Sequence, residues 1–359
     1  MPTPERRDAL RALLRADGLD ALLVTDLIDV RYLSGFTGSN AAFVVSAAGP
    51  DGDVFCTDGR YRTQAAAEVA DVRTVLARAC APTLAATVPA ATTLGYASDQ
   101  VTVDGHAALV AAAPGRYLRA ATGLVGRLRA VKEPGEVVAV RTACALADEA
   151  LAGFLADGGI VAGRTERDVA LDLETRMRRL GADGPAFETI LAAGAHSAIP
   201  HHRPTGAELH VGDLVKLDFG ALVAGYHSDM TRTFVLGPPA DWQRELHDLV
   251  AAAQRAGCAA LAPEAEVPAV DAASRDVIAE AGFGEQFVHG LGHGVGLQIH
   301  EPPWISAKGT GRIAAGHVLT VEPGVYLEGR GGVRIEDTLA VRDDGAEALT
   351  GTTRELVQL

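Results

Sequence analysis

Four acidic residues and one histidine stand where charge is costly. Asp218 lies inside Leu214-Val215-Lys216-Leu217-Asp218-Phe219-Gly220, whose alternation predicts a strand. Leu217 and Phe219 share one face, while Lys216, Asp218 and Gly220 share the other. Asp229 follows in Tyr226-His227-Ser228-Asp229-Met230-Thr231-Arg232-Thr233-Phe234, a second expected strand. An antiparallel return through Ala221–Gly225 would set the two carboxylates side by side. Such neighbours repel, and one pKa rises, unless a cation sits between them. Glu322 closes the apolar run Leu319-Thr320-Val321, and Glu336 sits in Val333-Arg334-Ile335-Glu336-Asp337-Thr338, on the face expected to carry Arg334 and Thr338. His293 lies in Gly290-Leu291-Gly292-His293-Gly294-Val295-Gly296, where glycines let the backbone approach whatever the imidazole binds.

One such acid is ordinarily an ion pair or a turn cap. Four of them in apolar strands within 120 residues, together with the histidine, point to a metal. The donors are hard and oxygen-dominated, carry charge for two divalent cations and include no cysteine. They favour Mn²⁺, Co²⁺ or Fe²⁺ over structural Zn²⁺. Two such ions would clamp a hydroxide and polarise a carbonyl, the arrangement of metal-assisted hydrolysis. Competing motifs fail. Neither register of Gly290–Gly296 gives GxGxxG, and GxxxxGK[ST], HExxH and GxSxG are all absent.

The elements that must position these residues divide into two sets. The chain has 359 residues, 48% hydrophobic and 22% charged, enough for two domains. Residues 1–130 alternate strands and helices: a helix over 6–15, strands over 20–25, 41–46, 54–57 and 72–76, and helices over 62–69, 106–113 and 117–129. A charged break, Val131-Lys132-Glu133-Pro134-Gly135-Glu136, opens the domain 131–359. Long helices are expected there over 134–157, 165–180, 241–262 and 267–281, with strands from Phe187 onward. Ten of the eleven histidines fall between His196 and His317, so the chemistry is expected in this second, α+β domain.

The net charge of −14 argues against nucleic acid or an anionic membrane surface as partner. No run of 18 apolar residues is present, the first residues mix Arg, Asp and Glu where a secretory peptide is expected to be apolar, and Cys56, Cys80, Cys144 and Cys258 form no close pair. Free thiols in a reducing cytoplasm are the expectation.

The order and contexts of Asp218, Asp229, His293, Glu322 and Glu336 resemble those of the M24 metallopeptidases. KLDFG, SDMTRTF, HGLGHGVGLQIHE, TVEPGVY and GVRIEDT are closest to the proline-peptidase branch. Tyr32-Leu33-Ser34-Gly35-Phe36-Thr37-Gly38 and Thr57-Asp58-Gly59-Arg60-Tyr61 resemble the creatinase/prolidase N-terminal domain. The resemblance implies an α/β N-terminal domain of that type followed by an α+β pita-bread catalytic domain. It implies that all five residues hold two divalent metals, Mn²⁺ ahead of Co²⁺, Zn²⁺ or Fe²⁺, with Asp218 and Glu336 bridging. It further implies that His201, His289, His300, Glu322 and Arg334 serve catalysis, and that the protein is a homodimer. His196, His202 and His227 are expected to be surface or structural residues.

The implied substrate is a peptide with proline second. Cleavage of dipeptides alone would call for a cation that meets the substrate's free carboxylate. Arg334 does not discriminate, and the loop Ser34–Asn40 is uncharged, leaving His201, His202 and Arg203 as candidates. The expectation is therefore an Xaa-Pro aminopeptidase with an open-ended site, and a prolidase (Xaa-Pro dipeptidase) is the alternative. A non-catalytic pita-bread binding protein would need a broken metal set, and here all five positions are ligand-competent.

Overall fold

A computed structural model describes residues 4–359, and the chain forms two compact units that divide between Arg129 and Ala130. The first unit is built on a six-stranded mixed sheet. Its spatial order is Arg73–Leu76, Val54–Thr57, Ala41–Ser46, Ala21–Val24, Thr93–Tyr96 and Tyr117–Ala120. The helix expected over 117–129 is in fact two elements. Tyr117–Ala120 pairs in parallel with Thr93–Tyr96, and only Leu124–Ala130 is helical, with Gly123 at φ 73° before it. Sheet-edge pairing overrides the helix preference of Leu118 and Ala120. The unit also contains two helices not read from the sequence, Leu27–Ser34 and Cys80–Thr87. Asp26 caps the first through the amides of Ile28 and Asp29, and Gly35 ends it at φ 80°.

The second unit pairs helices with sheets twice. Helices Pro134–Ala156 and Glu166–Arg179 pack on the sheet of Ile190–Ala193, Leu214–Phe219 and Met230–Val235. Leu151, Phe154, Val169, Leu173 and Met177 meet Leu191, Leu217, Phe219 and Phe234 in that core. Each fully buried Leu or Phe there contributes roughly 1.5–3 kcal/mol. Helices Asp241–Ala260 and Val267–Glu280 pack likewise on a five-stranded sheet. Its central strands are Gly292–Gly294, Val318–Val321 and Asp337–Arg342.

The alternation inside Leu214–Phe219 sorts its side chains between the two faces of the strand. Leu217 and Phe219 belong to the helix-facing core, which turns Lys216 and Asp218 to the opposite face. No helix among the described residues is long and apolar enough to cross a membrane.

Candidate metal centre

The strand of Asp218 pairs antiparallel with Met230–Val235, with Thr231 opposite Asp218. Asp229, two residues before Thr231, is therefore a diagonal neighbour of Asp218 on the same face. The connection between them holds its own small hairpin, Ala221–Val223 with Tyr226–His227. Glu322 directly follows Val318–Val321. Glu336 differs from expectation, because Val333–Thr338 is not one strand. Gly331–Arg334 pairs with Gly324–Leu327, the chain then crosses at Ile335-Glu336, and Asp337–Arg342 joins the five-stranded sheet. Glu336 sits at the switch between two sheets, where its amide donates to the Thr231 carbonyl.

The glycines beside His293 serve a different purpose from the one expected. A methyl group at Gly292 would lie 2.0 Å from the Thr320 carbonyl oxygen, and one at Gly294 would lie 2.4 Å from that of Pro302. They admit the neighbouring backbones of a tightly packed sheet, and the imidazole is oriented by other groups. His293 Nδ1 lies 3.0 Å from the Gly294 carbonyl. A carbonyl only accepts, so Nδ1 carries a proton, and Nε2 is the atom that would face a metal once its own proton is lost.

The structure brings the five residues together on the wall of one cavity of about 1210 Å³. Ligand atoms of Asp229, His293 and Glu336 all lie within 4.8 Å of one another. His293 Nε2 is 3.3 Å from Glu322 Oε1 and 3.6 Å from Asp229 Oδ2. Arg334 pairs with Asp218 Oδ2 and donates at 3.0 Å to Thr231 Oγ1. That hydroxyl in turn donates to Glu336 at 2.6 Å. One guanidinium thus orients two of the four carboxylates.

The charges are poorly compensated by protein alone. Burial, then the charges of Glu336, Asp218 and Glu322, push the Asp229 carboxyl well above its usual range. Burial, then Glu322 and Asp218, do the same to Glu336. Glu322 stays ionised: burial opposes this, but the hydrogen bond and charge of His293 hold it at about 2. Asp218 Oδ1 is buried with no hydrogen-bond donor. An orphaned carboxylate oxygen, repelling acids and an imidazole whose Nε2 faces two of those acids are a donor set that divalent cations would complete.

His201, His289, His300 and Arg334 line the same cavity. Burial lowers the pKa of His289. Tyr326 donates to its Nε2 at 2.8 Å while accepting from Arg334 at 2.9 Å. The His300 ring lies edge-on to His293, 4.4 Å between centroids; burial and then His293 lower its pKa. His202, expected to be surface or structural, is buried and also lines the cavity. It lies 2.9 Å from Glu166, a residue the sequence did not single out.

Glu166, His196 and His202 offer a second trio of metal-type donors within 4.8 Å, but its carboxylate is already satisfied. It accepts from the Ala193 amide, both imidazoles and the amide and hydroxyl of Thr205. Burial opposes ionisation of Glu166, yet these bonds hold it near 2. His227 is half-buried, its Nδ1 3.0 Å from the Gly296 carbonyl. Sequence reasoning also passed over Tyr326, Thr231 and the role of Lys216, because their partners are set by tertiary contacts.

Comparison with known proteins agrees with this geometry. Residues 138–343 match the family model described as Metallopeptidase family M24, and residues 6–131 match Creatinase/Prolidase N-terminal domain. The Xaa-Pro dipeptidase of Pyrococcus furiosus is 43% identical over 230 residues, 64% of this chain and 66% of that protein. A solved Xaa-Pro dipeptidase from Bacillus anthracis superposes with TM-score 0.92 at 34% identity, covering 99% of each chain. X-Pro aminopeptidase from Thermotoga maritima superposes with TM-score 0.90 at 32% identity, covering 100% of each.

Proposed function

The chain belongs to metallopeptidase family M24, and from that premise we propose that it is an Xaa-Pro dipeptidase. The buried cluster of Asp218, Asp229, His293, Glu322 and Glu336 on one cavity wall is the observation that carries the hydrolytic reading. These five would hold a pair of divalent cations, with Mn²⁺ favoured by the oxygen-rich donor set. When bound, the pair supplies water activation near neutral pH and polarisation of the scissile carbonyl.

The chain's own residues do the rest. Glu322, an ionised carboxylate on the cavity wall, takes the proton of the attacking water and passes it to the leaving proline nitrogen. His201 and His300 donate hydrogen bonds to the carbonyl oxygen as it gains negative charge. Tyr326 and the Gly290 carbonyl hold His289 in one tautomer, with Nδ1 protonated. Arg334 keeps Asp218 and, through Thr231, Glu336 in place.

Two observations support dipeptides over longer peptides, the reverse of the sequence expectation. The Pyrococcus and Bacillus relatives carry the name Xaa-Pro dipeptidase. The cavity wall also carries Arg167 and Arg203, cations suited to a dipeptide's free carboxylate. Arg203 pairs with Glu188 at 3.1 Å, but both side chains are exposed, so a substrate carboxylate can displace that weak pair. The aminopeptidase reading keeps the Thermotoga likeness in its favour. Product analysis separates the two. Xaa-Pro dipeptides should be hydrolysed and Xaa-Pro-Yaa tripeptides left intact. Release of the first residue from tripeptides at equal or greater kcat/KM would establish the aminopeptidase instead.

A further inference from the structure

Lys216 is among the largest side chains with no appreciable exposure, on a strand whose other face is packed with Leu217 and Phe219. Leu or Met at this position would avoid the desolvation cost of a buried amine. Lys216 Nζ directs its donors to backbone: to the Ile199 carbonyl at 2.5 Å and the Pro200 carbonyl at 3.2 Å. Its Nζ also sits 5.0 Å from the centre of the Tyr326 ring. The Pro200 carbonyl receives a second bond from Arg334 at 3.2 Å, the same guanidinium that pairs with Asp218.

The two peptide groups so held immediately precede His201. On its other side, Glu166 takes His202 at 2.9 Å and the Thr205 amide at 2.9 Å. His201 itself is exposed to the cavity and stands in a turn between these two anchors. A turn bearing a group that must meet a developing charge needs such anchoring, since a displacement of about 1 Å can cost roughly 10²-fold in rate.

We propose that Lys216 is a positioning residue for His201: by holding the Ile199 and Pro200 carbonyls it fixes the turn that presents this imidazole to the cavity. The inference rests on the hydrogen-bonding role proposed for His201 in the dipeptidase reading. It assigns a use to a buried amine that neither the metal set nor the hydrophobic core requires.

A double-mutant cycle tests it, with Lys216→Met, His201→Ala and the double variant assayed on an Xaa-Pro dipeptide with Mn²⁺. Bound metal is measured by elemental analysis on each. Lys216→Met should lower kcat about 10–100-fold, with KM within about twofold and metal content unchanged. In the His201→Ala background the same substitution should change kcat less than about twofold, because the group it positions is gone. An equal loss in both backgrounds, or loss of metal from Lys216→Met, would overturn the inference and leave the dipeptidase reading standing. Full activity in His201→Ala would overturn the inference and the histidine's catalytic role together. Should Lys216→Met fail to fold, Lys216→Gln, which keeps an N–H donor at shorter reach, is carried through the same cycle and judged by the same coupling.

Discussion

Arg334 donates to one carboxylate oxygen of Asp218 and leaves the other, Oδ1, buried without a donor. The pairing is half of a solution. It fixes the carboxylate's orientation while leaving an unsatisfied oxygen in the cluster with Asp229, Glu322 and Glu336, all on the same cavity wall. A fully paired Asp218 would be structural; the unpaired oxygen fits the role proposed for Asp218 as one of the residues that would hold a cation.

Removing the guanidinium should therefore be costly mainly when no metal is bound. Arg334→Met strands a buried carboxylate, which typically costs about 3–5 kcal/mol. Urea unfolding of the metal-free variant should show a loss of that order. A smaller loss is expected with Mn²⁺ present, since the cation compensates Asp218. Equal losses with and without metal would show that Arg334 matters for packing alone.

Holding metal and hydrogen-bonding the substrate carbonyl should separate under substitution. Asp229→Ala or Glu336→Ala should bind less metal, because each removes one donor of the trio with His293. His300→Ala should keep its metal and lose about 10²–10⁴-fold in kcat. Elemental analysis beside kinetics decides the matter. Loss of metal from the His300 variant would move that residue from hydrogen-bonding the substrate carbonyl to coordination.

Four of the five candidate ligands were legible because an acid in an apolar run is conspicuous, and His293 because of its glycine-rich setting. The path between them was less so. Val333–Thr338 has the alternation of one continuous strand, yet the chain changes sheets at Glu336; only the partner strands impose that break. Lys216 drew notice merely as sharing a face with Asp218, since its partners are backbone carbonyls, which carry no sequence signature. His202 depends on Glu166, 36 residues earlier, and a single sequence gives no means of pairing them. In the first unit, Tyr117–Ala120 is rich enough in helix formers to pass for the start of the next helix until the edge of the sheet claims it.

Stabilisation by metal should grow with pH. Asp229, Glu336 and His293 have pKa values raised above their usual ones in the metal-free chain. A raised pKa contributes stability that is complete below the unfolded value and is lost as pH rises through the folded one. The metal-free cluster thus loses stability from about pH 5 upward. His289 and His300 beside the cluster, and the remote His247 and His317, all have lowered values and act in the opposite sense. A bound cation would lower the first two further and leave the last two unchanged, so none of them narrows the gap between loaded and metal-free protein. The gap in Tm between the Mn²⁺-loaded and metal-free forms should widen from about pH 5 to pH 8. A gap that narrows over that range would show that these groups do not bind the ion.

Hydrolysis should depend on divalent metal held by these five residues. The most direct measurement adds Mn²⁺ stepwise to chelator-stripped protein and follows bound metal by elemental analysis beside hydrolysis of an Xaa-Pro dipeptide. The expected result is no activity at the start and a rise that tracks the metal bound, saturating near two ions per chain. The same titration of Glu336→Ala should show weaker binding and little activity. Full hydrolysis by the stripped protein, or activity in the Glu336 variant matching the parent at equal Mn²⁺, would contradict the claim.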